Sequence, residues 1–202
     1  MLETDYQFST PIYSIQKPEW LSNITKLTDE YLKNALEDKI EKTYYKSLLV
    51  NDPKLKEVEN FIGQTSVDLL DTWGYDIKNY TMFFDEFWVQ EFFKNGGGRH
   101  STHVHWGNHI SGFYFIKCSE KTSYPIFHDP RAGAMMTKLP QKDMSKVNIM
   151  SDAVHYKPIP GTLMFFPSYL PHEFVVDDGV EPFRFIHFNL QAVKNRGNEI
   201  EK

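Results

Sequence analysis

The sequence predicts a mainly β chain with N-terminal helices: a jelly-roll or cupin-like barrel buttressed by two helices. Three observations predict it. Two helical patterns, each with one apolar face, stand before about residue 78. Short apolar runs separated by turn signals follow, the mark of a strand-rich architecture. Finally, histidines fall at separated points of the strand-rich part, as a metal site assembled from several strands requires.

The first helix opens at Pro18, a residue preorganised for a first turn. Leu21, Ile24, Leu27, Tyr31, Leu32, Ala35 and Leu36 then recur at helical spacing. The second opens with Asn51-Asp52-Pro53, a cap followed by proline. It carries Leu55, Val58, Phe61, Ile62, Leu69 and Trp73, and Gly74 is placed to end it. Each helix has an apolar stripe to bury, so the pair is read as a buttress on a sheet. Tyr80 to Phe93 is aromatic and β-like, and Lys94 to Gly98 is a glycine-rich turn. Further strands are expected over Ile110 to Lys117, Tyr124 to His128, Val154 to Pro158, Thr162 to Phe166, His172 to Val176 and Phe183 to Leu190. The stretch from Ala132 to Asp152 has no clear period and is read as a long loop over the barrel mouth. The chain is thus expected to be one domain: a helical buttress over 1–78, a barrel core over 79–190 and a polar tail over 191–202.

Composition narrows the function. The net charge is −5, with no basic footprint for nucleic acid or an anionic membrane. No apolar run reaches the ~20 residues that span a bilayer. A single cysteine, Cys118, excludes an intrachain disulfide and a cysteine-based zinc cluster. A cytoplasmic setting is expected. The sequence has no G-x-G-x-x-G, no phosphate-binding G-x-x-x-x-G-K, no G-x-S-x-G and no H-E-x-x-H.

The chemistry concentrates in Arg99-His-Ser-Thr-His-Val-His-Trp-Gly-Asn-His109, which holds four of the eight histidines. His103 and His105 form an H-x-H at strand spacing, so both rings could meet one ion. His172 heads another apolar run. His100 and His109 are read equally well as structural.

The order of groups is H-x-H, Ser-Gly-Phe-Tyr (111–114), Asp-Pro-Arg (129–131), Phe-Pro-Ser-Tyr-Leu-Pro-His (166–172) and Arg-Phe-Ile-His-Phe-Asn (184–189). It resembles the Fe(II)/2-oxoglutarate-dependent oxygenases of the double-stranded β-helix fold, and within them a family common in marine bacteria and their phages. The opening Phe8-Ser9-Thr10-Pro11-Ile12-Tyr13 is similar to that family's usual start. The resemblance is good over about 85 to 190 and loose in the helical part.

It implies a hydroxylase that uses Fe(II), 2-oxoglutarate and O2, with ascorbate as reductant in vitro, and releases succinate and CO2. If the chain is phage-encoded, the compartment is the host cytoplasm. The resemblance puts His103 and His172 on iron and makes Arg184 the anchor of the 2-oxoglutarate 5-carboxylate, with Tyr114 as a second contact. His105 stands where the superfamily has Asp or Glu. Either His103, His105 and His172 form a three-histidine face, or Asp129 supplies a carboxylate; Asp129 could equally hold a histidine or make a turn with Pro130. Arg131 and Trp106 are candidates for substrate contact, and Asn108 and Gln90 for the pocket lining. The substrate, a peptidyl side chain or a small metabolite, and the oligomeric state are not written in the sequence. The alternatives are a cupin-like three-histidine dioxygenase without 2-oxoglutarate and a non-catalytic barrel.

Overall fold

A computed structural model describes residues 3, 7–35, 44–92, 100–136, 138–175 and 180–195. The glycine-rich turn at 94–98, Arg99 and the tail from 196 lie outside the described residues.

Both predicted helices form. Pro18–Trp20 makes a 3-10 turn that leads into α1 (Leu21–Ala35). Asp52 caps the second start, accepting from Lys54 N at 2.8 Å. A turn at Pro53–Leu55 then leads into α2 (Lys56–Thr72). Gly74 ends this region at φ +88°, a left-handed conformation that costs glycine little.

Ten strands are described: β1 (Tyr13–Gln16), β2 (Tyr44–Leu48), β3 (Tyr80–Phe92), β4 (His100–His103), β5 (Ile110–Lys117), β6 (Tyr124–His128), β7 (Ala153–His155), β8 (Thr162–Pro167), β9 (His172–Val175) and β10 (Phe183–Lys194). They form a six-stranded sheet, β1-β8-β5-β10-β3-β2, and a four-stranded sheet, β4-β9-β6-β7. The structure departs from expectation in three places. The 1–78 segment contributes β1 and β2 as well as helices. β10 continues to Lys194, paired along its length with β3, so four residues assigned to the tail belong to the sheet. The 132–152 stretch begins with one helical turn, α3 (Ala132–Met135), before it becomes irregular.

The large sheet is covered on both faces. Its outer face meets the helices in one core: Trp20, Ile24, Leu27, Ile62 and Leu70 pack with Phe87, Val89, Tyr114, Ile116, Leu163, Phe165, Ile186 and Phe188. Its inner face meets the small sheet in a second core rich in phenylalanine: Trp88, Phe92, Phe113, Phe115, Phe166, Phe183 and Phe185 with Phe127 and Phe174. Strict alternation explains the split, because successive side chains of a strand point to opposite faces. On β10 the odd positions 183 and 185 face the small sheet, while 186, 188 and 190 face the helices. On β5 the same rule sends Phe113 and Phe115 inward and Tyr114 and Ile116 to the helices. β3 and β10 slip register between Asn189 and Leu190, so Glu86 pairs with Asn189 and Phe84 with Leu190. Asp85 is the extra residue of this bulge.

Candidate metal centre

His103 closes β4, and His105 lies two residues past its end. The two rings therefore meet through the turn rather than by strand alternation. The His105 backbone N–H donates to Ser168 O at 3.0 Å, which ties the turn to the end of β8. His172 opens β9 and pairs in register with His103. One nitrogen from each of the three rings lies within 4.8 Å of the others. His105 Nε2 is 3.3 Å from His172 Nε2.

The far sides of two rings are fixed. His103 Nδ1 is 2.7 Å from Ser101 O and His172 Nδ1 is 3.0 Å from Leu170 O. A carbonyl can only accept, so each Nδ1 carries the proton and each Nε2 presents its lone pair. That is the tautomer a metal ligand needs. Burial, first of all, pushes His105 down to about 3, and the neighbouring His187 and His103 add to the effect. Burial likewise holds His172 well below the ordinary histidine range. Both rings are neutral at physiological pH. Rings of Phe113, Phe127 and Phe166 surround His172 at 4.9 to 6.0 Å between centroids.

Three residues without a predicted role join the cluster. Glu86 on β3, and His187 and Asn189 on β10, all face inward. Glu86, His105 and His187 form a second group whose ligand atoms lie within 4.8 Å of one another. The signal was present in the sequence: residues 183, 185, 187 and 189 share one parity, as do 86, 88, 90 and 92. The pairing of these two strands, which brings both parities to one place, was not.

Other predicted site residues lie elsewhere. Arg184 is only 4% exposed, but it faces the helices. Its Nε donates to Glu91 Oε2 at 2.7 Å, and its NH1 donates to Asp29 Oδ1 at 2.6 Å and to Thr28 Oγ1 at 3.1 Å. The flanking Phe183 and Phe185 do face inward, and for that reason the residue between them cannot. Tyr114 also faces the helices: its hydroxyl donates to Lys17 O at 2.9 Å and its ring packs near Trp20. Neither residue is brought to the histidines, which corrects the expected anchor and second contact. Asp129 is gripped by Arg131 through Nε at 2.9 Å and NH2 at 2.8 Å, and it joins no metal-competent group among the described residues. That grip lowers the carboxyl pKa of Asp129. Arg131 is thereby committed to a turn that also reaches Ile149 O. Trp106, the residue after His105, is 88% exposed.

The remaining candidates make contacts within the fold. His100 packs edge-on to Phe92 and Phe174, with Gln90 Nε2 at 3.1 Å from its Nε2. His109 Nδ1 accepts from Ala192 N at 3.1 Å. Asn108 donates to Asp85 at 2.9 Å, bracing the bulge.

The geometry has counterparts among known proteins. Residues 86–189, just over half of the chain, match the family described as "Putative 2OG-Fe(II) oxygenase". The fold is similar to a 2OG-Fe(II) oxygenase family oxidoreductase from Burkholderia pseudomallei (TM-score 0.57, 12% identity, 89% of this chain and 84% of that one). It is also similar to a Pseudomonas putida prolyl-4-hydroxylase (0.57, 9%, 94% and 95%). A third similar structure is SnoN, a non-heme alpha ketoglutarate dependent epimerase from nogalamycin biosynthesis (0.60, 8%, 95% and 81%). No curated protein matches the chain in sequence. No helix among the described residues is long and apolar enough to cross a membrane.

Proposed function

We propose, from the premise that this chain belongs to the 2OG-Fe(II) oxygenase family, that it is an iron- and 2-oxoglutarate-dependent oxygenase that hydroxylates a peptidyl side chain or a small metabolite. The convergence of His103, His105 and His172 carries this reading. The donor set fits ferrous iron, since imidazole suits iron among the first-row metals, and His103, His105 and His172 would hold it. Bound iron would supply the activation of O2. The chain's own contribution is threefold. The imidazole Nε2 atoms would hold the ion, the Ser101 and Leu170 carbonyls orient His103 and His172, and phenylalanine rings pack against the His172 side of the site.

2-Oxoglutarate enters on the family match, and the residues expected to hold it do not fit. Arg184 is turned to the helices and neutralised there. Tyr114 is likewise turned to the helices, with its hydroxyl on Lys17 O, so neither expected contact reaches the histidines. This observation favours a second reading, a three-histidine dioxygenase that needs no 2-oxo acid. Substrate recognition is assigned to the exposed surface beside the histidines, beginning with Trp106.

The test is succinate formation from 2-oxoglutarate by the Fe(II)-reconstituted protein with ascorbate and O2, beside a His172→Ala control. Succinate from the wild type that disappears in the variant supports the first reading. Bound iron with no succinate rejects it in favour of the second.

A further inference from the structure

The histidine cluster has a second side. While His105 Nε2 faces His172, its Nδ1 faces Asn189 Nδ2 at 2.9 Å and, beyond it, Glu86 Oε2 at 3.9 Å. Asn189 Nδ2 also donates to Glu86 Oε2 at 2.5 Å. Ser111 Oγ donates to Asn189 Oδ1 at 2.6 Å and is itself 2.8 Å from Ser168 Oγ. His187 Nε2 lies 3.5 Å from the same Glu86 oxygen. The asparagine amide is therefore held by both ends, its oxygen on a hydroxyl and its nitrogen on a carboxylate. An amide N–H only donates, so His105 Nδ1 is the acceptor in this arrangement and the ring proton sits on Nε2, toward His172.

An ion held by the three histidines needs that Nε2 lone pair. A neutral ring must then carry its proton on Nδ1, and the proton must find an acceptor. Of the two groups at Nδ1, the Asn189 amide nitrogen cannot accept and the Glu86 carboxylate can. We propose that Glu86 is a positioning residue of the metal centre: when Nε2 takes the ion, the His105 Nδ1–H donates to the Glu86 carboxylate, which closes in from 3.9 Å as the Asn189 amide nitrogen gives way. The proton moves from Nε2 to Nδ1 of one ring and none is released. The unit of negative charge that H-x-D places on the ion is here moved one hydrogen bond outward, behind the histidine that replaces the carboxylate. The inference rests on the three-histidine reading of the site.

Co(II) titration of the metal-free protein, followed by visible absorption, tests it with wild type, Glu86→Gln, Glu86→Asp and His172→Ala. The expected result is one Co(II) per wild-type chain. Glu86→Gln should bind about 10- to 100-fold more weakly, the usual cost of losing a partner behind a metal-bound histidine. Its cobalt spectrum should shift, its metal-free melting temperature should be unchanged, and Glu86→Asp should recover part of the affinity. Wild-type affinity and spectrum in Glu86→Gln would overturn the proposal. So would two Co(II) per wild-type chain falling to one, or complete loss of binding, because either would make Glu86 a direct ligand with His187. If His172→Ala bound Co(II) like the wild type, the three-histidine reading itself would fail, and this inference with it.

Discussion

Replacing Arg184 with methionine separates the two roles that sequence and structure give this residue. The guanidinium is 4% exposed and joins three partners on β3 and α1. Removing one member of a fully buried ion pair costs about 3–5 kcal/mol. Two features lower that figure here. The Asp29 side chain is 55% exposed, so its share is that of a surface pair, at most about 1 kcal/mol. Glu91 is 16% exposed and keeps Lys117 Nζ at 3.5 Å as a remaining counter-charge. Methionine also retains most of the apolar stem. The expected loss is about 2–3 kcal/mol, between the surface and buried limits. For a chain of this length that lowers the melting temperature by roughly 4–12 °C. Urea unfolding of the metal-free protein measures it, and Co(II) affinity at the histidines should not change, because Arg184 lies on the other face of β10. Unchanged stability together with lost 2-oxoglutarate binding would refute the reasoning, since it would place the side chain inside the barrel.

Three further outcomes follow from the same packing. Gly112→Ala puts a methyl 2.2 Å from both Met164 O and Phe188 Cζ; since one clash is with backbone, destabilisation of about 3 kcal/mol is expected by chemical denaturation, the upper end of the usual overpacking cost. Tyr114→Phe removes the hydrogen bond to Lys17 O, which should cost about 1 kcal/mol and leave metal affinity and succinate yield unchanged. The pH dependence has a definite sign. His105 is held down to about 3 and His172 well below its ordinary value, both chiefly by burial. Between pH 6.5 and about 3 the unfolded chain therefore binds more protons than the native one. Their contribution is fully present above pH 6.5 and is lost as the pH falls toward 3, by up to about 1.4 kcal/mol per unit for each ring. Denaturant titration of metal-free wild type and His105→Gln across that range checks it; equal slopes in the two would remove His105 from the account.

Much of the architecture was legible because it rests on local chemistry. Proline and cap signals opened α1 and α2 near where they were read, and aromatic runs bounded by turns gave β3, β5, β6 and β8. β1 and β2 were not legible: they are short edge strands without a strong period, defined by their partners β8 and β3. The three histidines were legible by type and spacing, and residues 86 and 187 were not. Parity places Glu86 with Trp88 and His187 with Phe185, but nothing local says that the two sets meet. They acquire meaning when the pairing of β3 with β10 sets Glu86 opposite Asn189 and Trp88 opposite His187.

Arg184 marks the boundary between the two kinds of information. The sequence by itself determined that an arginine stands between two phenylalanines on a late strand, read there as facing the barrel interior, and that three histidines can converge. It could not say that the reverse face of that strand is also buried. Only the tertiary structure decided this, by laying α1 over the large sheet and bringing Asp29 to a guanidinium 155 positions away. Alternation along a strand fixes which side chains share a face, but what covers each face depends on contacts between distant segments. That is why the histidines that converge could be read from the chain, and the surroundings that orient them and set their charge could not.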